Sequence, residues 1–545
     1  MNDKRIVLKN GIIIDGSGKE RYKADILIEN EKMKKIGDID AENKNDIIDI
    51  NGLIIAPGFI DVHTHLDFII ASPRHSKLLE SWVKQGVTTI IAGNCGFSPA
   101  PIRRKTIETL NTYWNFSLPK GGLEYSWNTM DEYFNHLEKI GQSLNVVILT
   151  GHNTLRLNAM GLEARFAEKA ELEDMLKMLK ESLDAGSFGL SLGLGYVPGL
   201  FSHTDELIEL GSVLKKYNVP LVPHTRGLLS KNYDKAIMEV IEISEKNGIS
   251  LQISHHAGGG IGRTRKKAIK AIEEAKERGV EIGHDNIAWP NTSTTVLSLF
   301  PPWAFDGGIK AFFERLRNEI ILNQIKEEMR SFRPKWPNWE NKWWVDRDYN
   351  ENIILTGFKL QKYQRYNNMQ LKEIAKDFKK ESLDVLIKLV LDEEGKFFII
   401  TGQFDNPLAE DFIANLYRNP NCSVGTDIVG LDQKTPHPVA YGTFPKILGT
   451  IVREKKILSL EEAIRKMTSL PASQMRIEKR GSIKEGYFTD LTIFNPETIK
   501  CTSSFKNPFQ EPIGVKYVFI NGNMIFKNNQ YDEKAFAGKV LRRTK

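Results

Sequence analysis

Between residues 60 and 290 short apolar runs alternate with longer stretches of helical period. The runs are Thr88–Ala92, Asn145–Thr150, Phe188–Leu192, Pro220–His224, Ser250–Ser254 and Val280–Gly283, each too short to be a helix and bounded by turn residues. Between them His75–Gln85, Ala167–Asp184, Thr204–Tyr217, Asn232–Lys246 and Arg265–Arg278 carry the apolar spacing of amphipathic helices. Strand followed by helix, repeated, implies a parallel sheet. The run Phe59-Ile60-Asp61-Val62 comes before this series and Cys422–Gly425 after it, which makes eight strands and favours a closed (β/α)8 barrel over an open sheet.

The two ends of the chain read differently. Ile6–Leu8, Ile12–Ile14, Ala24–Ile28 and Ile47–Ile50 are short strands separated by turn residues, and Asp490–Phe494 and Val515–Ile520 repeat that texture, with Asn521-Gly522 as a hairpin signal. Neither end can stand alone, so one small β-sandwich is expected to draw on both termini. The predicted organisation is α/β: residues 1–56 and 475–545 forming the sandwich, and 57–474 forming the barrel. Residues 290–420, rich in Trp, Lys and Glu, interrupt the alternation and are expected to be an inserted helical segment, either a lid or helices packed outside the barrel.

Composition narrows the partners. With 545 residues, 41% hydrophobic and 26% charged, the chain can bury a large core. A net charge of +6 spread over this length singles out no nucleic-acid partner. No stretch approaches the roughly 20 apolar residues of a membrane span, and three cysteines are too few for a disulfide framework. A cytoplasmic enzyme acting on a small molecule is the expectation.

The chemistry lies at the strand ends, where barrel active sites form. His63 and His65 sit two apart in an extended run and so point together. The lead-in Pro57-Gly58 and the neighbouring Asp61 favour a metal site over two core histidines. Strand 2 ends on Gly93-Asn94-Cys95-Gly96, strand 5 on His224, strand 6 on His255 and His256, strand 7 on His284 and Asp285, strand 8 on Asp427. Taken alone Cys95 would be a small buried hydrophobe; in a glycine-flanked loop beside three histidine-bearing strand ends it completes a ligand set for one or two zinc ions. Asp427, the carboxylate ending the last strand, is the candidate to take a proton from the attacking water and return it to the leaving nitrogen.

These residues stand in longer motifs. They are P-G-F-I-D-V-H-T-H at 57–65, G-V-T-T-I-I-A-G-N-C-G at 86–96, G-L-S-L-G-L-G-Y-V-P-G at 189–199, H-T-R at 224–226, I-S-H-H at 253–256 and R-G-S-I-K-E-G-Y-F-T-D-L-T-I-F at 480–494. In these the chain resembles the D-aminoacylase branch of the amidohydrolase superfamily. The resemblance implies hydrolysis of an N-acyl-D-amino acid, or of another linear N-acyl amide. It also implies a zinc centre in which Cys95, His224 and His255 hold the tighter metal, with His63 and His65 at a second position. No lysine occurs at strand 4 to bridge two metals, and Cys95 supplies the anionic ligand. Tyr196 is implied as a substrate hydrogen-bond donor, with plain packing as the other reading. Ser293 is a similar candidate, against a turn hydroxyl, and Arg226 is expected to hold an anion. The family's S-H-H-K, D-x-Y-P-Y and H-P-R patterns, whose Lys, Tyr and Arg hold the substrate carboxylate, are broken here by Ala257, Ile287 and Val439. The amine half of the substrate is therefore expected to differ from a standard D-amino acid; Trp289 and Trp303, Trp336, Trp339, Trp343 and Trp344 are candidate pocket walls, with plain packing the favoured reading. The competing readings are a hydantoinase-like hydrolase of cyclic amides and a non-catalytic scaffold.

Overall fold

The computed structural model describes residues 5–40, 46–228, 232–256, 262–331, 339, 353–404, 406–432 and 437–543. Eight strands form the barrel: β1 (Phe59–Asp61), β2 (Val87–Ala92), β3 (Asn145–Ile148, resumed at Thr150–Gly151), β4 (Leu190–Gly193), β5 (Leu221–His224), β6 (Leu251–Ile253), β7 (Ile282–Ile287) and β8 (Cys422–Gly425). All pair in parallel with their neighbours. The ring closes between β8 and β1, where the Val62 amide donates to the Val424 carbonyl at 3.3 Å and the Asp427 amide to the His63 carbonyl at 2.8 Å.

The alternation of the sequence sets this arrangement. Inward from the strands Ile60, Val62, Ile91, Val147, Leu149 and Val222 pack with Met475 as a dry plug. Outward, Leu190, Leu192, Leu221, Leu251 and Ile253 meet the apolar faces of the helices Lys169–Asp184, Thr204–Tyr217, Tyr233–Asn247 and Arg263–Glu277. Asp61 fastens the closure from within: its carboxylate accepts from Trp82 Nε1 at 2.8 Å and from the Thr426 amide and hydroxyl at 2.9 and 2.8 Å. It has no exposed surface. It is therefore a structural tie beneath the strand ends.

The termini meet in one nine-stranded sheet, in which Ile54–Pro57 joins the N-terminal strands to Leu491–Phe494 of the C-terminal set. Its own core holds Ile6, Leu8, Ile26, Ile28, Leu491, Ile493 and Phe519. From there the chain returns to the foot of the barrel, where the Gly538, Leu541 and Arg543 amides donate to the carbonyls of Gln142, Val146 and Gly186.

Two expectations need correction. The 290–420 segment is not purely helical: Asn291–Thr295, Ile354–Thr356, Met369–Gln370 and Phe398–Gly402 form a four-stranded antiparallel sheet beside its helices. Strand β1 stops at Asp61, so His63 and His65 stand in the extended segment beyond it, where Thr64 bridges Ile428. Of the tryptophans, Trp303 donates to Glu328 and Trp339 to the Ser298 carbonyl, as packed side chains do. Trp336, Trp343 and Trp344 lie outside the described residues.

Candidate metal centre

Six side chains from five strand ends converge at the mouth of the barrel. Cys95 is at the centre: its Sγ lies 3.4 Å from His63 Nε2 and 3.6 Å from both His224 Nδ1 and His255 Nε2. On one side His65 Nε2 and His63 Nε2 stand 3.0 and 3.3 Å from Asp427 Oδ1. On the other His224 Nδ1 and His255 Nε2 are 2.9 Å apart. Two ligand groups result, His63–His65–Cys95–Asp427 and Cys95–His224–His255, with the ligating atoms of each group within 4.8 Å of one another. The thiol belongs to both.

The backbone is bent to make this possible. Cys95, His255 and Asp427 have φ of 51°, 35° and 50°, left-handed values that cost about 1–3 kcal/mol each in a residue with a side chain. Cys95 is turned by the glycines around it, at φ 83° and 79°. A side-chain carbon on Gly93 would come within 2.3 Å of the Leu149 carbonyl oxygen, and one on Gly96 within 2.5 Å of the Gly193 amide. The G-N-C-G loop can thus lie directly against β3 and β4, and that carries the thiol to the barrel axis.

Electrostatics follow from burial among opposite charges. Burial would raise the Cys95 thiol, yet His63 and then His224 hold it well below its ordinary value. Burial would lower His63, but Asp285, Cys95 and Asp427 hold it well above its ordinary value; His65, also buried, is lifted to about 9 by Asp427 and Cys95. Asp427 stays below the usual carboxylate value against its burial, because His63 and His65 face it. A buried thiolate, a carboxylate and neutralising imidazoles are the donor set from which a divalent cation displaces protons.

The set fits zinc. A tetrahedral ion with Zn–S near 2.3 Å and Zn–N near 2.0–2.1 Å spaces sulfur and nitrogen by roughly 3.5 Å and two nitrogens by roughly 3.3 Å. The sulfur distances match, and the 2.9 Å between imidazoles is a few tenths short. His63 Nδ1, His65 Nδ1 and His255 Nδ1 are buried with no hydrogen-bond partner among the described residues. His256 is turned away, its Nδ1 against the Tyr233 hydroxyl at 2.5 Å.

The other candidates separate. The Tyr196 ring lies tilted against His224 at 4.9 Å, and its hydroxyl meets Thr294 Oγ1 at 3.0 Å. Ser293 precedes Thr294 on the strand Asn291–Thr295, with a buried hydroxyl that has no partner among the described residues. Arg226 is engaged by the fold: it donates to Glu239 at 3.0 and 3.1 Å, to the Leu200 carbonyl at 2.8 Å and to the Ser202 carbonyl and hydroxyl at 2.6 and 3.0 Å. These contacts brace the 193–202 loop that carries Tyr196 and tie it to Glu239. Trp114 escaped the motif reading. Its ring lies 5.3 Å from His65, 5.5 Å from Tyr196 and 4.1 Å from Phe97, and its buried Nε1 has no partner among the described residues. The aromatic density of Tyr113-Trp114-Asn115-Phe116 was its only signal.

The amidohydrolase family model matches residues 46–314 and 406–526, well over half of the chain. The chain belongs to the amidohydrolase family. This amidohydrolase is 27% identical to the D-aminoacylase of Alcaligenes xylosoxydans xylosoxydans over 99% of its own length and 98% of the relative's. The N-acyl-D-glutamate deacylase of Bordetella bronchiseptica, solved with zinc and a phosphonate mimic of the tetrahedral intermediate, superposes with a TM-score of 0.79 at 28% identity, over 98% of this chain and 99% of that one. A D-aminoacylase structure described by its binuclear metal centre superposes at 0.80 and 25% identity, over 99% of both chains.

Proposed function

We propose that this amidohydrolase cleaves linear N-acyl amides of the D-aminoacylase type, releasing a carboxylate and an amine. The observation that carries the reading is Asp427, an ionised carboxylate within 3.3 Å of two histidines of a thiolate-centred ligand group. Cys95, His224 and His255 would hold the tighter zinc, and His63 and His65 with the shared thiol a second. When bound, the metal supplies Lewis-acid polarisation of the amide carbonyl and acidifies water. The chain's own groups do the rest. Asp427 Oδ1, seated beside His63 and His65, takes a proton from the attacking water and gives it to the departing nitrogen. The strand ends hold the reacting carbonyl in a site shielded from bulk water, and Tyr196, fixed against His224, lies within reach of a bound substrate.

The amine half is proposed to lack the usual α-carboxylate. Ile287 ends β7 and Val439 begins the helix Val439–Lys446, both buried, while Ala257 lies outside the described residues. A carboxylate facing such apolar side chains without a cation would lose several kcal/mol. The test is amine release by the zinc-loaded protein from N-acetyl and N-formyl derivatives of D- and L-amino acids, their carboxamides, hydantoins and dihydropyrimidines. Turnover of carboxamides above the free acids supports the altered amine side. Preference for N-acyl-D-amino acids removes that refinement, and turnover of cyclic amides alone removes the linear-amide reading.

A further inference from the structure

β7 carries a carboxylate that belongs to neither ligand group. Asp285 is 1% exposed, and its Oδ1 accepts the His255 backbone N–H at 2.8 Å. The same oxygen lies 3.3 Å from His63 Nδ1, an ion-pair distance at which the two atoms are close in charge but not hydrogen-bonded. That nitrogen is the one turned away from the centre, since His63 Nε2 faces Cys95 at 3.4 Å and Asp427 at 3.3 Å. His255 is the ligand with φ of 35°, the most compressed of the three left-handed turns in the site. One oxygen on the seventh strand thus touches a ligand of each metal position, on the first strand and on the sixth.

A ligating imidazole presents a lone pair from one nitrogen only if the other carries the proton, and a carboxylate beside that other nitrogen fixes both the tautomer and the ring. A left-handed turn in a residue with a side chain persists only where its surroundings compel it. Asp285 meets both needs with one atom. We propose that Asp285 is a positioning residue that joins the two metal positions: it keeps the His63 proton on Nδ1, so that Nε2 is free to ligate, and it holds the backbone turn that presents His255. The two positions are therefore coupled through the protein as well as through the Cys95 thiol. The inference rests on the metal-centre reading above.

Two variants divide the roles. Asp285→Asn keeps an oxygen for the His255 amide but removes the charge beside His63. Asp285→Ala removes both. The experiment titrates zinc into the full-length, metal-stripped protein against a chromophoric chelator. In parallel, cobalt is titrated, and its thiolate charge-transfer absorption reports Cys95 ligation. The thermal transition of the metal-free proteins is recorded as a folding control. The expected result is a 10–100-fold weaker second binding constant for Asp285→Asn, the size typical of losing a carboxylate behind a ligand, with the first constant and the cobalt–thiolate band unchanged. For Asp285→Ala both constants fall and the band shifts. Wild-type constants in both variants overturn the inference alone. Loss of the metal-free thermal transition in both overturns it in favour of a purely structural role. Wild-type protein that binds no zinc removes the metal centre, and this inference with it.

Discussion

Gly195 follows β4 and backs onto the edge of the His224 ring. A side-chain carbon there would stand 2.7 Å from His224 Nε2 and 3.2 Å from Cδ2, about 0.7 Å short of ordinary contact. Nδ1, on the far side of the ring, faces Cys95 and lies 2.9 Å from His255 Nε2. Gly195→Ala would therefore push the imidazole toward its fellow ligands, several times the roughly 0.2 Å that a zinc–nitrogen bond tolerates. The backbone at Gly195 is outside the left-handed region, so alanine adds no backbone strain, and the gain of about 0.4–1 kcal/mol from a stiffer unfolded chain offsets part of the packing cost of moving the ring. The two effects separate cleanly. The melting temperature of the metal-free protein should stay within a few degrees of wild type. Affinity for the first zinc should fall 10–100-fold, about 1.4–2.8 kcal/mol. Chelator competition and a thermal melt on the same sample give both numbers. Wild-type zinc affinity in Gly195→Ala would refute the seating of His224 described here.

Further consequences are as direct. Arg226→Met leaves Glu239 without its buried partner and should cost about 3 kcal/mol in urea unfolding. It should leave the ratio of turnover for anionic and neutral substrates unchanged, whereas an anion-holding arginine would shift that ratio. Asp392, part-exposed in the inserted segment, is pushed up by burial but brought down to about 2 by hydrogen bonds from Tyr363, Lys362 and Lys388. A carboxylate whose folded value is depressed adds stability above its unfolded value near 3.8, and that stability is lost as pH falls toward 2. Screening at so open a site limits it to roughly 1 kcal/mol, so Asp392→Asn should flatten the acid side of the stability curve by that amount between pH 4 and 2.

The repeating part of the fold was legible because period alone separates its strands from its helices. Thr204–Tyr217 was placed to the residue. β7 was cut short at Gly283 because His284-Asp285-Asn286 breaks the apolar run. The strand continues because His284 through Ile287 pair with Cys422 through Gly425 of β8, a partner about 140 residues away. Asn291–Thr295 hid for the same reason: its five polar or β-branched residues show no alternation, and its ladder to Phe398–Gly402 is supplied from across the insertion. The ligands could be listed from strand ends because a barrel gathers those ends. Which way a polar side chain turns there is decided by neighbours the sequence does not display. Arg226 is thus read as holding a substrate anion while its donors go to Glu239 and to Leu200 and Ser202, and Asp285, read only as a polar residue ending strand 7, stands beside two of the ligands.

The most direct measurement is turnover and zinc content of Asp427→Asn on whichever amide the wild-type protein cleaves best. The account predicts a folded protein that keeps its first zinc, held by Cys95, His224 and His255, and loses at least 100-fold in kcat, the usual worth of a positioned acid–base group. Turnover within a few-fold of wild type in a zinc-loaded Asp427→Asn would contradict it.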